Sequence, residues 1–473
     1  MSEQIRLSYH EIDFLVPVHR FNIQFSYVTK QGLSFIREFV LRLVQLAPMK
    51  PSQIATYIGL NKAEVDEAIS DLMDKGDLRF NTHGSVELTP QSTGYFDSIG
   101  SSPKTSSIQE TGSTLSFELC GFNCIGNKRT FDRWKQGIEL HVDNKLLSCS
   151  ENLAKEKFQK EFYKYLDKGY LKGVRTEGTD RPSIYTMDAV NKLTKDALRL
   201  TCKFYVDVDG RPIEREDFDL LDDSTDIHEM ITKSLGHNKR SSNISMIATA
   251  MAYFEDTWTK KVFNDYSINP ASFALASAES LADLQKPKIL AGPLYSNSNW
   301  SFISSKVQKY ITNRTTSEDK KAKQLVWLAP SDPYWGKSSR IIDCLSELEN
   351  LQLTTGKNPE RVFIPKLYLP LSSPTDRRTL SKLVYDFRES ANLNYGVAEG
   401  FMDGNVEVLY LEDEFIVVFY HINFPESLPV TLPVGFIVED KKIIRKISKL
   451  VEEYIDSSST HDKPHNFGLL KNL

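Results

Sequence analysis

The sequence predicts a multidomain protein of α+β and α/β character: a small helix-and-hairpin module near the N-terminus, then a C-terminal α/β sandwich. Three observations carry this. At 473 residues the chain exceeds what one hydrophobic core holds, so two to four domains are expected. Residues 32–90 pass from helical to strand-like apolar spacing. Residues 323–456 alternate strand and helix patterns, as helices packed on the faces of one sheet require.

The elements follow in order. Residues 1–31, around FLVPVHRFNIQFSYV, alternate apolar and polar and read as a strand or extended arm. SFIREFVLRLVQLAPM sets Phe35, Phe39, Leu43 and Leu46 at helical spacing. Pro51 opens a short helix that Gly59 ends. Asn61 is a good N-cap for a third helix, with Val65, Ile69 and Leu72 on one face. LRFNTHGSVELTP then reads as two short strands about Thr82, His83 and Gly84. Residues 91–115 are rich in Ser, Thr and Gly and are expected to be a linker. Residues 208–312 form a mainly helical connecting region, with the acidic run EREDFDLLDDSTD read as a solvated loop. The α/β domain occupies 313–456, and 457–473 is expected to be a polar tail.

Bulk composition excludes several classes. Net charge is −5, so nucleic-acid binding would need a local patch. Of the five cysteines only Cys120 and Cys124 are close, as CGFNC, and they lack further ligands at zinc spacing. Free thiols and a reducing, cytoplasmic setting are expected, with no metal and no cofactor. No apolar run reaches the roughly 18 residues needed to span a bilayer, so no membrane partner is expected.

Helix, short helix, helix and β-wing over 32–90 resemble the winged-helix family. The resemblance implies a third helix that enters the major groove and a wing that touches phosphate. Here that helix carries Glu64, Asp66, Glu67, Asp71 and Asp74 against Lys62 and Lys75, a surface that repels a polyanion. The wing offers only Arg79 and His83. Protein docking and base reading are therefore both open for this module.

DLMDKGDL at 71–78 and KYLDKGYL at 164–171 share Asp-Lys-Gly and a final Leu. With the strand–turn–strand pattern that follows, this suggests a second winged helix over 140–190, within a domain at 116–207. Its Lys155, Lys157, Lys160, Lys164, Lys168, Lys172, Arg175 and Arg181 make the best phosphate-binding patch in the chain. Phe158, Phe162, Tyr163 and Tyr165 recur at helical spacing and are expected in the core.

From VEVLYLED to the closing helix, the C-terminal order of elements resembles one half of a phospholipase D-like fold. The resemblance puts Asp413 in the Asp place of His-x-Lys-x4-Asp, and Tyr420, His421, Ile422 and Asn423 in the Gly-Ser-x-Asn place. Val406 and Val408 occupy the His and Lys places. Valine can neither attack phosphorus nor stabilise phosphoryl charge, so this half is expected to be inactive. His237, Lys239, His421 and Asn423 are the candidates for an active phosphodiesterase or nuclease. SDPYWGKS at 331–338 has a phosphate-loop ending but a bulky interior; Lys337 and Arg340 could still meet an anion at the helix start. The resulting expectation is a non-catalytic, DNA-associated adaptor or assembly subunit of a bacterial multi-protein system handling foreign DNA, such as anti-phage defence. Its partners would be double-stranded DNA and other protein subunits. The alternatives are the phospholipase D-like enzyme and a winged-helix transcription regulator.

Overall fold

A computed structural model describes residues 6–32, 35–101, 103–129, 135–175, 181–238, 240–264, 267–282, 287–314, 321–353, 360–456 and 465–473. The chain opens with β1 (Leu7–Gly32), then α1 (Phe35–Leu46), α2 (Pro51–Ile58), α3 (Lys62–Asp74), β2 (Leu78–Phe80), β3 (Val86–Leu88) and the one-turn α4 (Pro90–Thr93). Next come β4 (Lys104–Glu118), β5 (Cys124–Gly126), β6 (Ile138–Glu139), α5 (Asn144–Asp167) and β7 (Ser183–Val206). A helical stretch holds α6 (Thr225–His237), α7 (Ile244–Tyr253), the short pair β8 (Phe263–Asn264) and β9 (Ser267–Ile268), and α8 (Pro270–Ala282). The last part comprises β10 (Lys288–Ala291), α9 (Asn297–Arg314), β11 (Lys323–Leu328), α10 (Arg340–Leu351), β12 (Phe363–Leu371), α11 (Arg377–Asp386), β13 (Asn394–Ala398), β14 (Val406–Leu411), β15 (Phe415–Ile422), β16 (Leu432–Val438), α12 (Lys441–Asp456) and β17 (Asn466–Leu469). The whole is a mixed α/β protein with two large sheets.

β1 organises the first sheet. One edge pairs antiparallel with β4, from Val18↔Glu118 to Gly32↔Lys104, and parallel with β6 at Phe14 and Leu15. The other edge pairs with β7 from Leu7↔Val206 to Val28↔Ser183. The alternation read over 1–31 is, from Leu7 to Gly32, one strand, whose two halves serve different cores. Phe21, Ile23, Phe25 and Tyr27 pack under α5, against Phe158, Phe162 and Tyr165. Tyr9, Ile12, Phe14 and Val16 share a core with α6, α7 and the C-terminal sheet. The arm is therefore part of the central body and does not belong with the module that follows it.

That module has its own core, built within residues 36–96 from side chains such as Val40, Leu41, Ile54, Ile69 and Val86. On α1 the buried face is Val40, Leu41 and Val44; Phe39 and Leu46 are exposed, so the helix is rotated from the expected stripe. Val65, Ile69 and Leu72 of α3 are buried as their spacing requires. The Asn61 side chain accepts from the Glu64 N–H at 2.9 Å, and the Glu64 carboxylate accepts from the Asn61 N–H at 3.1 Å. Asn61→Ala removes this reciprocal cap and is expected to destabilise the module by about 1 kcal/mol in urea unfolding. No measurable change would mean that the cap adds nothing beyond water.

Three expectations are corrected. The stretch 91–115 is a linker only in part, because β4 begins at Lys104. The strand–turn–strand predicted after α5 is not seen among the described residues: 171–175 carry no strand, 176–180 lie outside the described residues, and Ser183–Val206 is one strand, kept extended by its long pairing with β1. Within 457–473 the described end is ordered by pairing, since β17 joins β13 and Leu470 is buried.

The C-terminal sheet has eight strands in the order β10-β16-β15-β14-β11-β12-β13-β17. β11, β12 and β13 are parallel, as their helical crossovers demand, and the remaining pairings are antiparallel. One face packs on β1, α6, α7 and α12. The other packs under α9, α10 and α11.

Candidate functional site

Three places concentrate polar chemistry: a buried charge bridge under the C-terminal sheet, the loop from β11 to α10, and the cations of α5.

The bridge centres on His421, near the end of β15. Its side chain is 3% exposed. Nδ1 lies 2.8 Å from Asp332 and Nε2 lies 2.9 Å from Glu407, which is fully buried. Glu407 also accepts from the indole N–H groups of Trp327 and Trp335, both at 2.8 Å. Asp332 accepts from Thr431 Oγ1 at 3.0 Å and from the Tyr334 N–H at 3.1 Å. Burial opposes charge on the imidazole, but the two carboxylates outweigh it and raise His421 to about 9. Burial likewise opposes ionisation of Asp332, and the His421 bond and charge overcome it, holding this carboxyl below its ordinary range. Nearby His10 has no such pair; burial lowers it to about 4 and leaves it neutral.

An imidazolium held at both nitrogens has no lone pair for attack or proton abstraction. The candidate His421 is therefore a bridge between carboxylates. Asn423 is also committed, its side-chain oxygen lying 3.2 Å from the Thr431 hydroxyl and its N–H bonded to Asn243. Val406 and Val408 lie 1% and 0% exposed on the opposite face, inside the core shared with β1. Asp413 sits in the β14–β15 turn and pairs with Arg445 at 2.9 Å. The sequence suggested His421 but missed Asp332, Glu407 and Thr431. The available signal was Glu407 itself, an acid between Val406 and Val408 in an otherwise apolar strand.

The loop before α10 does not work as a phosphate cradle, because its amides are already used. The Gly336 N–H donates to Tyr295 Oη at 3.0 Å, Tyr334 N–H to Asp332, and Ser339 N–H to Asp13 at 2.8 Å. Asp13 comes from β1, and its own N–H donates to the Lys337 carbonyl at 2.8 Å. The anion at this helix start is thus the protein's own carboxylate, also held by Arg199 and Thr201. Arg340 lies 3.4 Å from Asp343. Lys337 lines a cleft beside α6.

The basic patch on α5 is partly neutralised from within. Lys164 and Lys168 meet Asp222 at 3.0 and 2.7 Å, so one carboxylate of the largely exposed acidic run reaches this helix. Lys157 pairs with Glu161 at 3.1 Å, and Arg181 with Asp167 at 3.5 Å. On the expected wing, Arg79 pairs with Glu87 at 2.8 Å and His83 is exposed. Lys155, Lys160, Lys172 and Arg175 are exposed, with no ion-pair partner shown among the described residues. His237 ends α6, its Nδ1 2.7 Å from the Lys233 carbonyl; Lys239 lies outside the described residues.

CGFNC wraps a carboxylate. Fully buried Glu118 accepts from the N–H groups of Cys120, Gly121 and Asn123 and from the Asn123 side chain. Burial pushes both cysteine thiols up to about 12. Among the described residues no helix is long and apolar enough to cross a membrane. Comparison with family models, curated proteins and solved structures finds no match.

Proposed function

We propose that this chain is a non-catalytic, DNA-associated adaptor that assembles with other protein subunits in a system handling foreign DNA. The observation that carries the reading is the placement of the 35–96 module. It has its own core and is inserted between the paired ends of β1 and β4, at the Gly32↔Lys104 rung, past the part of β1 that packs under α5. A separately cored module inserted at the end of a ladder suits recognition better than catalysis. Its helix–helix–helix–hairpin order is what a winged helix requires.

Residues 33–103 carry nine acidic side chains against six basic ones, which favours a basic protein surface over DNA as the module's partner. Duplex backbone is assigned instead to Lys155, Lys160, Lys172 and Arg175. The C-terminal sheet, read as a decayed phospholipase D-like half, supplies the assembly body. Burial of Val406 and Val408 and the double engagement of His421 favour this over the enzyme reading.

The test is fluorescence anisotropy with a labelled duplex across a salt series. The triple variant Lys155→Glu, Lys160→Glu, Lys172→Glu is expected to bind at least tenfold more weakly. Its log–log salt slope should be shallower by about 3. Unchanged affinity and slope would remove the DNA half of the proposal.

A further inference from the structure

A cleft of about 880 Å³ opens between α6, the β6 segment, the loop before α10, and α11. Its walls carry Lys233 and His237 from α6, His141 after β6, Lys337 from the loop and Lys382 from α11, against one acid, Glu139 of β6. Lys382 is already committed, lying 3.2 Å from Glu139 and 3.4 Å from Asp386. Lys337 and Lys233 have no ion-pair partner shown among the described residues. Lys337 is also partly buried, and burial lowers its affinity for a proton. The charges of Asp386 and Glu139 offset this only in part, and a half-buried ammonium with no carboxylate in ion-pair contact is stabilised when an anion binds.

We infer that this cleft binds a small phosphorylated ligand, a phosphomonoester up to the size of a mononucleotide, through Lys337 and Lys233. The volume lies in the range of ordinary small-molecule sites. Recognition rests on side-chain ammonium groups, because the amides of the adjoining loop are already bonded to Asp13, Asp332 and Tyr295. Ile138, Met230 and Pro333 provide apolar wall for the part of the ligand away from phosphate. A recessed cleft of this size admits a small molecule and excludes a duplex, so the site stands apart from the DNA surface on α5.

The experiment is isothermal titration of the full chain with inorganic pyrophosphate. Saturable binding is expected. Lys337→Met and Lys233→Met should each raise Kd at least tenfold, while Lys337→Arg should stay within about threefold and the surface control Lys449→Met should match wild type. Thermal unfolding by circular dichroism checks that each variant is folded; a misfolded Lys337→Met leaves the decision to Lys233→Met, whose side chain is exposed. Binding that fails to saturate, or that neither methionine variant weakens, overturns the inference. Displacement of pyrophosphate by a short duplex also overturns it, because the cleft would then be part of the DNA surface. The Lys155/Lys160/Lys172 variant should bind pyrophosphate normally, which keeps this result separate from the adaptor proposal.

Discussion

Glu407→Ala is expected to lower the stability of the fold by about 3–5 kcal/mol, the range for removing one member of a buried ion pair. One carboxylate here serves three donors. Its loss leaves the indole N–H groups of Trp327 and Trp335 without their acceptor and leaves His421 with Asp332 alone. Urea unfolding followed by tryptophan fluorescence reads both effects, since two of the five tryptophans sit on this carboxylate. A loss below about 1 kcal/mol would show that the bridge is not a stabilising element. Glu407→Gln keeps the oxygen that both indoles share and loses the charge and the acceptor facing His421, so a smaller loss than in Glu407→Ala is expected.

The same bridge sets a pH window. The folded value of His421, about 9, lies above its ordinary 6.5. Its contribution is therefore complete below about pH 6.5 and fades as pH rises through 9. Asp332 is shifted the other way, so its contribution is present above its ordinary 3.8 and is lost as pH falls through its lowered folded value. Wild type should lose stability toward pH 9, and Glu407→Ala should lose less over that interval. Equal alkaline slopes in the two proteins would contradict the assignment of the imidazolium to this bridge.

Gly435→Ala is expected to be at least as damaging. Gly435 pairs with Phe419 in the ladder between β15 and β16. A methyl group there would lie 1.8 Å from the Val418 carbonyl oxygen and 2.7 Å from the Phe419 Cα. Both neighbours are backbone in the middle of a buried sheet, so no side chain can rotate aside. The strands must part, with loss of ladder hydrogen bonds between β15 and β16. We expect a destabilisation above about 4 kcal/mol, or chain that is insoluble on expression. A soluble variant melting within a few degrees of wild type would show that the strands separate freely here.

The local elements were legible where a short-range rule applied. Asn61 capped its helix, Gly59 ended one, and Val65, Ile69 and Leu72 marked a buried face. The strand–helix alternation of 323–456 likewise appeared as a sheet with helices on both faces. What escaped was long-range pairing. Residues 104–115 look like linker because their Ser and Thr residues carry little hydrophobic signal; the β1 ladder orders them. The cations of α5 looked like one continuous patch because Asp222 is more than fifty residues away in sequence. His421 stood out as a histidine, but its chemistry depends on Asp332 and Glu407 from two other segments. Burial and charge pairing are properties of the assembled sheet, and no window of sequence contains them.

Gly32 faces Lys104 across the last rung of the β1–β4 ladder. The chain therefore leaves the ribbon and returns to it one strand spacing apart, about 5 Å. Everything between these two residues is topologically an enlarged hairpin turn. Such a head is exchangeable: a two-residue turn could replace it without disturbing strand register, and an unrelated small domain with adjacent termini could be spliced there. The body can then stay constant while the inserted head diverges.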